Sequence, residues 1–166
     1  MSIKLIVNLD EISDNLEESI MFLKNNKLEF TEIRTINSKN ILNLSIKDVK
    51  QLKSKLSKNN IKVAAIASPL FKWFLNKPLP DMKFDGFAFN PVLTLSQKKA
   101  YIDKAMDVAD ILGTKLIRIF SNLSDGSLGY KEFITDPCLE YALEKASQRD
   151  IYLLIENEPV CAINKK

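Results

Sequence analysis

The sequence predicts a parallel α/β fold in the order βαβαβαβαβ, and three observations carry that prediction. Short apolar runs alternate with amphipathic stretches of helical period along all 166 residues. The apolar runs are nearly continuous, as in strands covered by helices. Glycine is scarce, 4 in all, and the first strand-to-helix turn, "NLDEISD", has none. That disfavours the Gly-rich nucleotide turn of an open doubly wound sheet. Two architectures remain on these grounds alone, an open doubly wound sheet or part of a (β/α)8 barrel.

Each element has its own justification. "IKLIVNL" reads as the first strand and "SDNLEESIMFLKNN" as a helix, with Asp14 and Glu17 at capping-box spacing. "FTEIRTI" is the second strand. "SIKDVKQLKSKLSKNN" is a helix with Val49, Leu52 and Leu56 on one stripe, and "IKVAAIASP" a third strand closed by Pro69. From about residue 70 to 93 the chain is irregular and rich in proline and aromatics, long enough to suggest a functional loop. Within it, the aromatic group "FKWF" reads as core filling, and Lys72 as a surface residue. "SQKKAYIDKAMDVADILGT" is a helix burying Ile102, Ala105, Ala109 and Leu112 and stopping at Gly113. "KLIRIFS" is the fourth strand. A loop through "LSDGSLGY" leads to the helix "DPCLEYALEKASQRD", with Asp136 as N-cap and Pro137 in its first position. "IYLLIENEP" is the fifth strand.

Composition bounds the function. The chain is 46% hydrophobic and 27% charged, an ordinary balance for a globular domain, and we read residues 1–166 as a single one. A net charge of +3, with lysines spread along the chain, gives no nucleic-acid footprint. No apolar run approaches the roughly 20 residues that span a bilayer, and the N-terminus lacks a signal-peptide pattern. Cys138 and Cys161 stand far apart, as free thiols do in a reducing cytoplasm. There is no histidine, so a Ser-His-Asp triad, a Cys-His pair and a His-based zinc site cannot be built from this chain alone.

Strand parity sorts the polar residues. Glu32 and Arg34 share one side of the second strand, and Thr31 and Ile33 the other. Arg118 opposes Ile117 and Ile119, and Glu156 and Glu158 share a side with Leu154. Ser68 closes the third strand on the parity of Ala64 and Ile66. Helix-facing sides should be apolar, so the charged parity is expected inside a barrel, where unpaired charge is costly. Both signs then cluster at the strand exits, where barrels place their sites. Arg34 with Glu32, and Arg118 with Glu156, also fit as structural ion pairs.

The run "FTEIRTINSKNILNLSIKDVKQLKSKLSKNNIKVAAIASPLFK", with "ADILGTKLIRIFS" and "YLLIENEP", resembles the sugar phosphate isomerase/epimerase family, the xylose-isomerase-like barrels. The likeness covers nearly the whole chain, and its order and spacing are more specific than any one motif. It implies a partial (β/α)8 TIM barrel, with helices outside a parallel sheet. It also implies a divalent metal (Mn, Mg, Co or Zn) that chelates neighbouring sugar oxygens while carboxylates move a proton between adjacent carbons. By resemblance, Glu156 is a metal ligand and catalytic residue. Glu32, Arg34, Ser68, Arg118 and Glu158 are expected to contact the sugar or sugar phosphate. Lys72 stands where relatives often carry Gly-Lys.

A complete barrel has about 250 residues and eight strands, whereas five are legible here. The resemblance places further metal ligands, usually an acid, a His or Gln and a final Glu, on the sixth to eighth strands. The expectation is therefore a barrel truncated after the fifth strand and catalytically incomplete alone. Its two sheet edges are expected to join a second copy or a complementing half-barrel. The alternatives are an enzyme active only once so assembled, and a non-enzymatic remnant that binds a sugar phosphate or a protein.

Overall fold

A computed structural model describes residues 4–75 and 91–163. In chain order the strands are β1 (Ile6–Asn8), β2 (Phe30–Ile33), β3 (Thr35–Ile36), β4 (Lys39–Asn40), β5 (Lys62–Ala67), β6 (Leu116–Ile119) and β7 (Tyr152–Ile155). The helices are α1 (Leu16–Asn25), α2 (Ile46–Lys58), α3 (Leu95–Leu112), α4 (Tyr130–Ile134) and α5 (Pro137–Gln148). The main sheet runs β1-β2-β5-β6-β7, every neighbouring pair parallel. Spatial order therefore equals sequence order. A doubly wound sheet reverses its winding at a switch point, and a barrel does not. The two architectures left open by the sequence are separated by this one fact: the sheet is five consecutive strands of a barrel.

The helices form where their stripes can be buried. Val49, Leu52 and Leu56 of α2 are buried, as are Ile102, Ala105, Ala109 and Leu112 of α3 and Ala142 and Ala146 of α5. They meet Ile33, Ile66 and Ile117, which lie in register across β2, β5 and β6. Ser45 caps α2, Thr94 and Gln97 close a capping box on α3, and Asp136 caps α5. Gly113 ends α3 at φ 74°, a left-handed conformation that glycine adopts without a Cβ penalty. No helix among the described residues is long and apolar enough to cross a membrane.

Three local readings change. Asn15, not Asp14, caps α1, its side chain accepting from the N–H groups of Glu17 and Glu18. The second strand ends at Ile33, and the chain then folds back as the β3–β4 hairpin. The one-turn helix α4 had no legible signal, because five residues are too few for a periodic stripe. Of the irregular 70–93 stretch, the described part is core: Phe71 and Trp73 are fully buried, their rings 5.0 Å apart, and Phe71 meets Phe133 edge-on. Residues 76–90 lie outside the described residues.

Candidate functional site

Because all five strands are parallel, their C-terminal ends lie together. Register then decides which side chains face inward. Asn8 pairs with Glu32, Glu32 with Ala65, Ala67 with Arg118, and Arg118 with Leu154. The inner row therefore carries Asn8, Glu32 and Arg118 among small and apolar neighbours. A β-bulge sits in this path: Thr31 pairs with Val63, but Glu32 pairs with Ala65. The extra residue reverses the parity of β5. Ile66 thus joins Ile33 and Ile117 on the helix-covered side, and Ala67, not Ser68, stands beside Arg118.

Over the exits of β5 to β7 lies the first cluster. Glu156 follows β7 directly, its N–H donating to the Ile119 carbonyl at 2.9 Å. Arg118 donates from Nη1 to Glu156 Oε2 at 2.9 Å, and from Nη2 to the carbonyls of Ala67 and Ser68 at 3.0 and 3.2 Å. Its guanidinium carbon lies 4.7 Å from the Phe120 ring centre. Lys72 is buried, with Nζ also 4.7 Å from that centre and 3.2 Å from the Glu158 carboxylate. Two carboxylates two residues apart on one strand exit therefore each hold a cation from this chain, and one aromatic ring supports both cations. Ser68 is fully buried: its hydroxyl donates to the Arg118 carbonyl and accepts from the Leu70 N–H. It reaches the cluster through its own carbonyl. Cys161 Sγ lies 3.9 Å from Glu158 Oε2. Burial, with the nearby Glu158 charge, pushes that thiol up to about 11.

A second cluster lies at the exits of β1 and β2. Arg34 donates from Nε to Asp10 Oδ2 and from Nη2 to Glu11 Oε1, both at 2.7 Å. Thr35 Oγ1 donates to the same Asp10 oxygen at 2.8 Å. Burial works against the Arg34 charge, but the hydrogen bond and field of Asp10, joined by Glu11, hold its pKa above the ordinary arginine value. Asp10 and Glu11 escaped sequence reading because they sit on a 3-10 turn, Leu9–Glu11, where strand parity no longer applies. The signal that could have found them is two acids directly after a strand. Asn8 Oδ1 and Asp10 Oδ1 are buried and accept no hydrogen bond from the described residues.

The structure thus brings Arg118, Glu156 and Glu158 together with Lys72. It places Glu32 and Arg34 at the neighbouring exit, with Asp10 and Glu11. Among the described residues no three His, Cys, Asp or Glu side chains converge as a metal-binding group. Glu156 is one hard-oxygen donor, and a six-coordinate oxygen site needs several. The described residues do not by themselves fit a divalent metal.

No protein-family model matches the sequence, and no curated protein matches it. Solved structures do match its fold. The IOLI protein with a bound zinc atom has TM-score 0.67 and 19% identity over 98% of this chain and 55% of its own. A D-allulose 3-epimerase from Methylomonas sp., in complex with D-allulose, has TM-score 0.62 and 14% identity over 97% of this chain and 54% of its own. A xylose isomerase-like TIM barrel/4-hydroxyphenylpyruvate dioxygenase fusion protein has TM-score 0.65 and 16% identity over 93% of this chain, but only 22% of its own. The chain spans about half the length of the first two. Identities this low establish the fold alone: five consecutive β/α units of a TIM barrel.

Proposed function

We propose that this chain carries the first five β/α units of a sugar isomerase or epimerase site, in which carboxylates move a proton between adjacent carbons of a polyhydroxylated substrate. The observation that carries this reading is the placement of Glu156 and Glu158 two residues apart at one strand exit, each held by an oriented cation. A proton shift beside a carbonyl needs a base to take the proton and an acid to return it, both fixed near the same carbons. Glu156, with its side chain 44% exposed, is the more accessible of the two. It serves as the base, and Arg118 orients it. Glu158 with Lys72 returns the proton. Glu32 and Arg34, at the neighbouring exit, bind substrate hydroxyls. The named activity of the D-allulose 3-epimerase with the same fold supports this class of reaction.

In a complete ring Glu156 would be the one ligand these strands contribute to a divalent metal, which would polarise the substrate carbonyl. The solved IOLI protein, with its bound zinc, supports this. The remaining ligands come from further β/α units, on the same or another polypeptide. Proton exchange tests the proposal. In D2O with Mn2+ and a neutral ketose, the C–H beside the carbonyl should exchange slowly with this chain alone. Exchange should rise when further β/α units are supplied, and fall about 100-fold or more in Glu156→Gln. Absence of both exchange and sugar binding overturns the proposal.

A further inference from the structure

Among the described residues, the two clusters at the strand exits carry more acid than base. Asp10, Glu11, Glu32, Glu156 and Glu158 stand against three cations, Arg34, Arg118 and Lys72. Each of those cations is already engaged by a carboxylate of this chain: Arg34 by Asp10 and Glu11, Arg118 by Glu156, and Lys72 by Glu158. Arg118 is committed further, to two main-chain carbonyls, and these fix its guanidinium in place. A phosphate ester carries roughly −1.5 to −2 charge near neutral pH and is recognised through charge-assisted bonds from arginine or lysine. At this face it would have to displace an internal carboxylate and meet the others at close range. A hydroxyl-rich ligand meets the opposite situation. Carboxylates are acceptors, and Asn8 Oδ1 and Asp10 Oδ1 accept nothing from the described residues; together they outnumber the open donor of these clusters, Arg118 Nε, so the surplus is of acceptors that hydroxyl groups can satisfy.

We infer that the exit face is selective for a neutral, polyhydroxylated sugar and rejects the corresponding sugar phosphate. This rests on the functional reading above and names its substrate class. The acids set the selectivity by neutralising the arginines and lysine that a phosphate would need. Removing one of those acids should therefore create phosphate affinity.

Titration of the 15N-labelled chain with D-fructose and with D-fructose 6-phosphate, at about 20 and 200 mM NaCl, provides the test. D-fructose should shift the resonances of Asn8, Arg118 and Glu156 equally at both salt concentrations. The 6-phosphate should bind about tenfold more weakly at low salt, from like-charge repulsion. Glu156→Gln, which unpairs Arg118, should bind the 6-phosphate about tenfold more tightly than the wild type does, an effect screened by salt. Glu158→Gln removes the carboxylate that neutralises Lys72, an independent route that serves equally if the first variant does not fold. Should the 6-phosphate bind the wild type as well as fructose, or neither variant gain affinity for it, the selectivity inference is overturned and the proton-transfer reading stands. If neither sugar moves these resonances in the wild type, both are overturned.

Discussion

Single residues at the strand exits act through their pairing more than through their identity. Arg118 illustrates this: its charge is consumed by Glu156, its second nitrogen by two carbonyls, and its plane lies against Phe120. Arginine's rigid fork can make all these contacts at once, and a lysine could not. Cys161 shows how burial tunes a neighbour of the site. Its thiol is raised from 9.0 to about 11, first by burial and then by the Glu158 charge. A group whose folded pKa is raised contributes stability in full below its unfolded value, and loses it as pH rises through the folded value. The stability difference between wild type and Cys161→Ala should therefore hold steady to about pH 9 and fall away towards pH 11. Urea unfolding across that range measures it, and a difference that grows above pH 9 would contradict the assignment.

Elements matter here through their ends. The β5 bulge swaps which side chain meets Arg118, and a one-residue register change inverts a whole strand face. α5 is anchored by Asp136, which is buried, accepts from the Cys138 N–H at 2.8 Å and takes Asn122 Nδ2 at 3.0 Å. Close by, Lys98 is buried too and donates to the carbonyls of Phe74 and Leu75. Burial lowers the Lys98 pKa while the Asp136 charge opposes that shift. Asp136→Ala should thus cost about 3 kcal/mol. Roughly 1 kcal/mol is the lost cap, and the rest is the buried Asn122 amide left without its acceptor. Chemical denaturation of the variant reads this directly, and a loss under 1 kcal/mol would mean that water replaces the carboxylate.

At the scale of the whole molecule, the five-stranded sheet of the described residues leaves two edges. Leu5 beside β1 and Ile6 at its start are exposed, and so are Tyr152, Leu154 and Ile155 of β7. Unpaired backbone flanked by apolar side chains is a template for strand addition. We expect the chain to self-associate through these edges, or to take up a complementing half-barrel. Leu154→Lys, on the inner face of β7, should shift sedimentation towards the monomer without lowering stability. A monomeric wild type at about 100 μM would overturn this expectation.

By itself the sequence determined the strand and helix order, the buried stripes, most caps, and the exit-face charges Glu32, Arg34, Arg118, Glu156 and Glu158. Those are local properties, set by periodicity and by the chemistry of residues within a turn or two. The absence of histidine showed that a His-based triad or zinc site cannot be built from this chain alone. Tertiary structure alone decided the rest. It showed that winding never reverses, which makes the sheet a barrel segment. It inserted the bulge that turns Ser68 away from the inner face. It chose Lys72 as the partner of Glu158, 86 positions away, and set Asp10 and Glu11 against Arg34. Pairing across such distances depends on register and on which loops converge. Neither leaves a period in the sequence, because the free energy that fixes them comes from contacts between elements and not from any element alone.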